Sequence, residues 1–342
     1  MASEPPKPVV LVVDDAPESI DVLRGVLGTE YRVAAAINGR LALRVAEQLK
    51  PDLILLDVMM PEMDGYEVCR QLKATPALSK IPVIFVTTLS DVTSEARGLE
   101  LGAVDYVSKP YVAALVKSRV KTHVALHHQS LVLEGLVSQR TAELLETRLE
   151  IIRRLGRAAE YRDNETGMHV IRMSHYARLI ALAYGMPESE ADLIMHVAPM
   201  HDIGKLGVPD SVLLKPARLD PSEWEVMKRH TVIGAEIIGC HSSELLSAAR
   251  TVALRHHERW DGRGYPDGLA AEQIPPMARV VALADVFDAL TSVRPYKRAW
   301  STEQATEHIR ADHGKRFEPG VVSAFLEVVP SCLEVQAMYR DT

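Results

Sequence analysis

The sequence predicts an α/β doubly wound domain on a five-stranded parallel sheet, followed by a long linker helix and an all-α domain. Three observations predict it. Short β-branched runs bounded by turn residues alternate with helix-period segments in the N-terminal part. From Tyr111 to about Tyr161 there is no proline, and the only glycines are Gly135 and Gly156, a run too long for an ordinary globular helix. After Glu160 helical periodicity dominates and period-two alternation is not sustained.

Strands are expected at 9–13, 31–35, 53–56 and 83–86, with a weaker fifth at 106–108. Between them, Leu41, Ala42, Val45, Ala46 and Leu49 share one helix face, and 67–72 and 92–101 read likewise. Strands separated by helices pair in parallel, and an open parallel sheet takes its ligand at the carboxyl ends of its strands. There the sequence puts Asp14 and Asp15 after the first strand and Asp57 at the end of the third. Thr87 follows the fourth strand and Lys109 the fifth.

A chain of 342 residues exceeds one ordinary core and implies about two domains. Apolar residues at 47% and charged residues at 25% exclude collagen-like, mucin-like and disordered classes. The net charge of -7 argues against coating a nucleic-acid polymer or an anionic membrane, so an anionic ligand must meet a local cationic cluster. Cys69, Cys240 and Cys332 are widely spaced and form no CxxC, which fits a reduced compartment without disulfides or a thiolate zinc site. No signal peptide opens the chain and no run approaches the ~18 apolar residues of a membrane span, so a cytoplasmic protein is expected. Of 13 histidines, ten lie between His169 and His313 and none in the first hundred residues, which divides the chain chemically.

One Asp at a strand end is usually a turn or helix cap. Three at adjacent strand ends repel one another unless a cation neutralises them, and an all-oxygen set suits Mg²⁺. A lysine and a hydroxyl at the same spot would grip a phosphoryl group. VVDD at 12–15, LLDVMMPEMDG at 55–65, VTT at 86–88 and the Lys109-Pro110 pair resemble the receiver domain of bacterial response regulators. The resemblance implies a phospho-acceptor at Asp57, Mg²⁺ held by Asp14, Asp15 and Asp57, and a Lys109 contact to the phosphoryl group. It also implies a Thr87–Tyr106 switch pair and a sensor histidine kinase as partner. Thr88 stands where many receivers carry Ala or Gly, which bears on the lifetime of the phosphoryl group.

In the linker, 111–160, Val124, Leu131, Ala142, Leu145, Leu149 and Ile152 follow alternating four-and-three spacing, interrupted by His128, Gly135 and Ser138. The pattern leaves two arrangements open, a parallel helix dimer and packing within one chain.

The helical part carries Glu165 and His169 at i and i+4, His201-Asp202, His230, His256-His257, and Asp285 in ALADVFDALTS. A single histidine in such a domain is usually a surface or capping side chain, the reading given to His175, His196, His241, His308 and His313. Five imidazoles and three carboxylates without a thiolate suit Mn, Fe, Co, Ni or Zn and exceed one ion's needs. Two ions about 3.5–4 Å apart clamp a phosphodiester and polarise its P–O bonds.

His201-Asp202-Ile203-Gly204-Lys205 and HHERWDGRGYP at 256–266 resemble the HD-GYP branch of the HD phosphohydrolases, which hydrolyses cyclic di-GMP. Domains are thus expected at 1–125 (receiver), 111–160 (linker helix) and 145–342 (HD-GYP). The resemblance implies metal ligation by Glu165, His169, His201, Asp202, His230, His256, His257 and Asp285. Two or three divalent ions are implied, Fe or Mn first and Ni, Co or Zn next. Lys205 takes the phosphate-contacting position, Arg294 and Lys297 bind substrate, and Tyr265 shapes the substrate site or docks a partner such as a diguanylate cyclase. Arg263 stands where Ser or Thr is frequent. Competing readings are another cyclic dinucleotide such as cyclic GMP-AMP, or a non-catalytic cyclic di-GMP receptor or scaffold. The full ligand set argues against the receptor. Glu165 either accepts a hydrogen bond from a ligating histidine or helps hold a third ion that permits cleavage of linear pGpG to GMP.

Overall fold

The computed structural model describes residues 6–88, 92–162, 168–292 and 299–340. They divide into two units, Met1–Ala142 and Glu143–Thr342. The first alternates strand and helix: β1 (Val9–Val13), α1 (Pro17–Leu27), β2 (Arg32–Ala36), α2 (Gly39–Leu49), β3 (Leu53–Asp57), α3 (Gly65–Ala74), β4 (Val83–Thr87), α4 (Val92–Glu100) and β5 (Asp105–Ser108). The strands pair in parallel in the order β2-β1-β3-β4-β5. Helix α5 (Ala113–Arg162) begins in this unit and ends in the next.

Because successive strand residues face opposite sides, the runs 10–13, 53–56 and 83–86 feed two cores. Leu11, Val13, Ile54, Leu56, Val83 and Phe85 pack on one side with Ala42, Ala46, Val68 and Leu72 of α2 and α3. Val10, Val12, Leu53, Leu55, Ile84 and Val86 pack on the other with Ile20, Leu23 and Leu27 of α1 and Val116, Val120 and Val124 of α5. Each large aliphatic side chain buried this way contributes about 1.5–3 kcal/mol. In the register of β1 on β3, Val13 faces Leu56, so Asp14 and Asp57 leave the sheet side by side.

The second unit is helical: α6 (Met168–Ala183), α7 (Glu188–Val197), α8 (Asp210–Leu213), α9 (Pro221–Lys228), α10 (His230–Ile238), α11 (Glu244–Arg255), α12 (Pro276–Thr291), α13 (Thr302–Ala311) and α14 (Pro319–Met338). Its core gathers Met173, Tyr176 and Ile180 of α6, Leu283 and Phe287 of α12, and Val321, Val322 and Phe325 of α14. Phe287 sits edge-on between Tyr176 and Phe325, with centroids 5.4 and 4.9 Å away. Against the sequence expectation of no membrane-length apolar segment, α14 is long and apolar enough by composition to cross a membrane. Its Val321, Val322, Ala324, Phe325 and Cys332 are instead buried in this domain core.

Two glycines set how closely elements approach. A Cβ on Gly156 of α5 would lie 2.3 Å from the Pro199 carbonyl oxygen, and one on Gly204 would lie 1.8 Å from that of His230. Close backbone contact is therefore obligatory at both. Gly204→Ala should destabilise the second unit by about 1–3 kcal/mol or more, as overpacking against backbone does. A thermal or denaturant melt showing wild-type stability would contradict this packing.

Candidate functional site

At the sheet end of the first unit, Asp14 and Asp57 are buried and Asp15 is exposed, and their carboxylates are close enough to share one cation. The Lys109 Nζ donates to Asp14 Oδ2 and to Asp57 Oδ2, both at 2.7 Å. The backbone supports the acids: Ala16 N–H donates to Asp14 Oδ1 at 2.9 Å and Met59 N–H to Asp57 Oδ1 at 3.2 Å. Burial pushes the Asp57 carboxyl up, opposed chiefly by the Lys109 hydrogen bond. Burial works to lower Lys109, but its two carboxylate partners outweigh that and hold the ammonium charged. Thr87 and Tyr106 line one small cavity with Val58, Tyr66, Phe85 and Leu99. The Arg119 guanidinium lies 5.4 Å from the Tyr106 ring centroid.

In the second unit, residues from three helices and two turns converge. His169 lies near the start of α6, His201 and Asp202 sit in the turn after α7, and His230 opens α10. His256 and His257 follow α11, and Asp285 lies on α12. Their donor atoms form two groups, Asp202 with His230, His256 and His257, and His169 with His201 and Asp285.

Asp202 spans the groups. Its Oδ1 is 3.3 Å from His230 Nε2 and 3.6 Å from His256 Nε2, while its Oδ2 is 3.3 Å from His201 Nε2 and 2.8 Å from Lys205 Nζ. Asp285 Oδ1 is 3.5 Å from His169 Nε2 and 4.0 Å from His201 Nε2.

The imidazole tautomers follow from their anchors. The Nδ1 of His201, His230 and His256 lies 2.8–3.0 Å from the carbonyls of Ala198, Met227 and Val252, which can only accept. Nδ1 therefore carries the proton, and a neutral ring presents the Nε2 lone pair to the cluster. Those three Nε2 atoms and Asp202 Oδ1 are buried without a hydrogen-bond partner among the described residues. Buried polar atoms left so are costly, and divalent cations, one at each group, would satisfy them, so the residues present fit metal ions.

Protonation agrees in part. Burial pushes His230 down to about 4, and burial with neighbouring His256 and His230 holds His257 well below the usual imidazole range. Asp202 stays ionised despite burial because Lys205 and His201 face it. Burial alone would lower His201, but the Asp202 carboxylate 3.3 Å from its Nε2 outweighs it and raises it to about 9. Without metal, that imidazole holds a proton that an incoming cation displaces.

Several neighbours have no signature in isolated sequence. His169 Nδ1 lies 2.8 Å from Asp288 Oδ2, and Arg172 grips the same carboxylate through Nε at 2.8 Å and Nη2 at 2.9 Å. Asp288 is fully buried and turns the His169 Nε2 toward Asp285. Buried Glu160 places Oε1 3.7 Å from His169 Nε2. The available clue was spacing: Asp288 stands one turn after Asp285, and Arg172 one turn after His169. Glu165, Arg294 and Lys297 lie outside the described residues.

The GYP loop is organised by Glu258, whose buried carboxylate accepts from the backbone N–H groups of Asp267 and Leu269, each at 3.0 Å. Gly264 passes so close to Glu258 and Arg259 that a Cβ would fall 2.4 Å from the Arg259 nitrogen. This sets the Tyr265 ring on His257, centroids 4.7 Å apart.

A paired imidazole–carboxylate centre in a helical unit, joined to a receiver sheet, defines a metal-dependent phosphohydrolase built as a response regulator. Comparisons with known proteins agree. The family model for the response regulator receiver domain matches residues 10–121 and that for the HD domain matches 139–321. A probable cyclic di-GMP phosphodiesterase of Vibrio cholerae is 40% identical, with 97% of this chain and 80% of that protein covered. The cyclic di-GMP phosphodiesterase response regulator RpfG of Xanthomonas campestris is 41% identical over 93% of this chain and 86% of its own. A 3'3'-cGAMP-specific phosphodiesterase of V. cholerae is 43% identical over 58% of this chain and 38% of its own. The chain belongs to this family of response regulators, in which a receiver precedes an HD-type phosphodiesterase domain, and it is a metal-dependent phosphodiesterase.

Because Asp288 orients His169, Asp288→Asn should weaken metal binding by about 10–100-fold, the usual cost of removing a carboxylate that supports a metal-ligating histidine. Metal titration by calorimetry or elemental analysis checks this. Wild-type affinity in the variant would assign Asp288 to the fold alone.

Proposed function

We propose that the chain hydrolyses cyclic di-GMP to linear pGpG, with further cleavage to GMP, and that phosphorylation at Asp57 by a sensor histidine kinase controls this activity. The observation that carries the catalytic reading is Asp202, whose two oxygens face separate imidazole groups, the disposition a carboxylate needs to bridge two ions. Divalent ions, Fe or Mn first, would be held by His169, His201, Asp202, His230, His256, His257 and Asp285, with Glu165 in a third position. When bound, they supply Lewis-acid polarisation of the P–O bonds and acidify a water.

The chain's own residues do the rest. The Nδ1 anchors keep each imidazole aimed at the centre without reorganisation, which is electrostatic preorganisation. Lys205, 13% exposed and 2.8 Å from Asp202, brings a cation to a nonbridging phosphate oxygen. Arg294 and Lys297 are assigned the remaining charge of the diester. Tyr265 walls the centre beside His257 and keeps bulk water from that side.

In the first unit, Asp57 is the acceptor, with Mg²⁺ held beside Asp14 and Asp15, and Lys109 follows the transferred charge. Thr87 and Tyr106 report it through the cavity they share. Exposed apolar residues on α5, among them Leu131, Leu136, Leu144 and Leu145, support a homodimer formed along that helix. The GYP loop is the docking point assigned to a diguanylate cyclase. All three cysteines are free, in keeping with a cytoplasmic location. A second substrate, cyclic GMP-AMP, is favoured by the cGAMP-specific relative of the HD part.

Purified protein loaded with Mn²⁺ or Fe²⁺ should convert cyclic di-GMP to pGpG and GMP on chromatography. His201→Ala combined with Asp202→Ala should abolish turnover and lower metal content, and full activity in that variant would overturn the assignment. With a small phosphodonor and Mg²⁺, intact mass should show one phosphoryl group on wild type and none on Asp57→Asn. Equal labelling of both would remove Asp57 as acceptor.

A further inference from the structure

The second unit carries an aromatic wall that metal chemistry does not require. It starts at His257, passes to Tyr265 at 4.7 Å, and continues to Trp224 of α9 at 6.2 Å, centroid to centroid. Exposure rises outward along it: His257 and Tyr265 are half-buried, whereas Trp224 is 46% exposed. An indole left half in water is an expensive choice for packing alone, and α9 contributes no fully buried residue.

Trp224 and Tyr265 meet at an interplanar angle of 81°. The edge-to-face contact and the 46% exposure of Trp224 leave indole surface available to a third plane, while the Tyr265 ring already meets His257 and Lys228. Two lysines border the corner, each paired with a carboxylate, Lys228 with Glu225 at 2.7 Å and Lys205 with Asp202 at 2.8 Å. Lys228 Nζ lies 5.9 Å from the Tyr265 ring centroid, and Lys205 stands on the inner side beside Asp202. Because Tyr265 lies 4.7 Å from the His257 ring and 6.2 Å from that of Trp224, the corner adjoins the centre at which a phosphate would sit.

We propose that Trp224, with Tyr265 as its second wall, is the base-stacking platform of this enzyme and the residue that makes it prefer cyclic dinucleotides with purine bases. The proposal rests on the phosphodiesterase reading above and adds to it the group that binds the base. Every base has a π-face, so stacking tolerates guanine and adenine alike but rewards the larger purine over a pyrimidine. The platform therefore holds cyclic di-GMP and cyclic GMP-AMP and discriminates against cyclic di-UMP.

The test uses the full-length, metal-loaded protein and compares wild type with Trp224→Ala and Trp224→Phe on cyclic di-GMP and cyclic di-UMP. Trp224→Ala should raise KM for cyclic di-GMP by roughly tenfold or more, the scale of one lost base–aromatic stack, with kcat within about threefold. Trp224→Phe should recover most of that loss. The purine-over-pyrimidine ratio of kcat/KM should collapse in Trp224→Ala, while metal content and melting temperature stay at wild-type values. An unchanged KM and ratio in Trp224→Ala, with wild type active on cyclic di-GMP, would remove the platform and leave the enzyme reading intact. A fall in kcat and melting temperature with the ratio preserved would reassign Trp224 to α9 packing. Wild type inactive on every cyclic dinucleotide would overturn the substrate reading and this subsite together.

Discussion

Everything in the second unit depends on holding several imidazoles and carboxylates together out of water. Ionised carboxylates and lone-pair-bearing rings at this density are costly unless each has a fixed partner. The chain meets the constraint from outside the cluster. Of the five histidines, three are tied through Nδ1 to carbonyls at most four residues upstream, and His169 is tied to Asp288. The carbonyls belong to helix ends and turns, and each also accepts a backbone N–H, from His201, Arg229 and His256 in turn. Helix termini thus serve twice, positioning the ring and fixing its tautomer.

The first unit solves a similar problem with one lysine. Asp14 and Asp57 are brought together by the pairing of β1 with β3, and parallel order obliges their side chains to emerge at the same edge. Lys109 bonds both, so the repulsion between them is spent on holding a cation in place. Asp15, exposed, completes the oxygen set.

Much of this was legible in the residues alone. Short β-branched runs between turn residues located the strands to within a residue or so, because a doubly covered sheet reads as continuous apolar runs. The ligand types were legible as doublets, HD and HH, whose adjacency has no packing explanation. What was not legible was support. Asp288 and Arg172 look like any polar pair on helices, and only the crossing of α6 and α12 makes them a buried ion pair behind His169. Glu160 was hidden likewise, since its approach to His169 depends on how α5 meets α6. The corner of Trp224 and Tyr265 joins residues from α9 and a distant loop, a proximity no local periodicity encodes.

The contact of Gly156 with Pro199 has a mechanical corollary. Pro199 stands two residues before His201, in the turn whose Ala198 carbonyl holds that histidine's Nδ1. The missing side chain leaves no slack there: α5 rests directly on the peptide chain that carries the ligands. A shift or rotation of α5 by a fraction of an ångström must be taken up by that turn, as a lever bears on its fulcrum, whereas a longer side chain in between would act as a spring and absorb it.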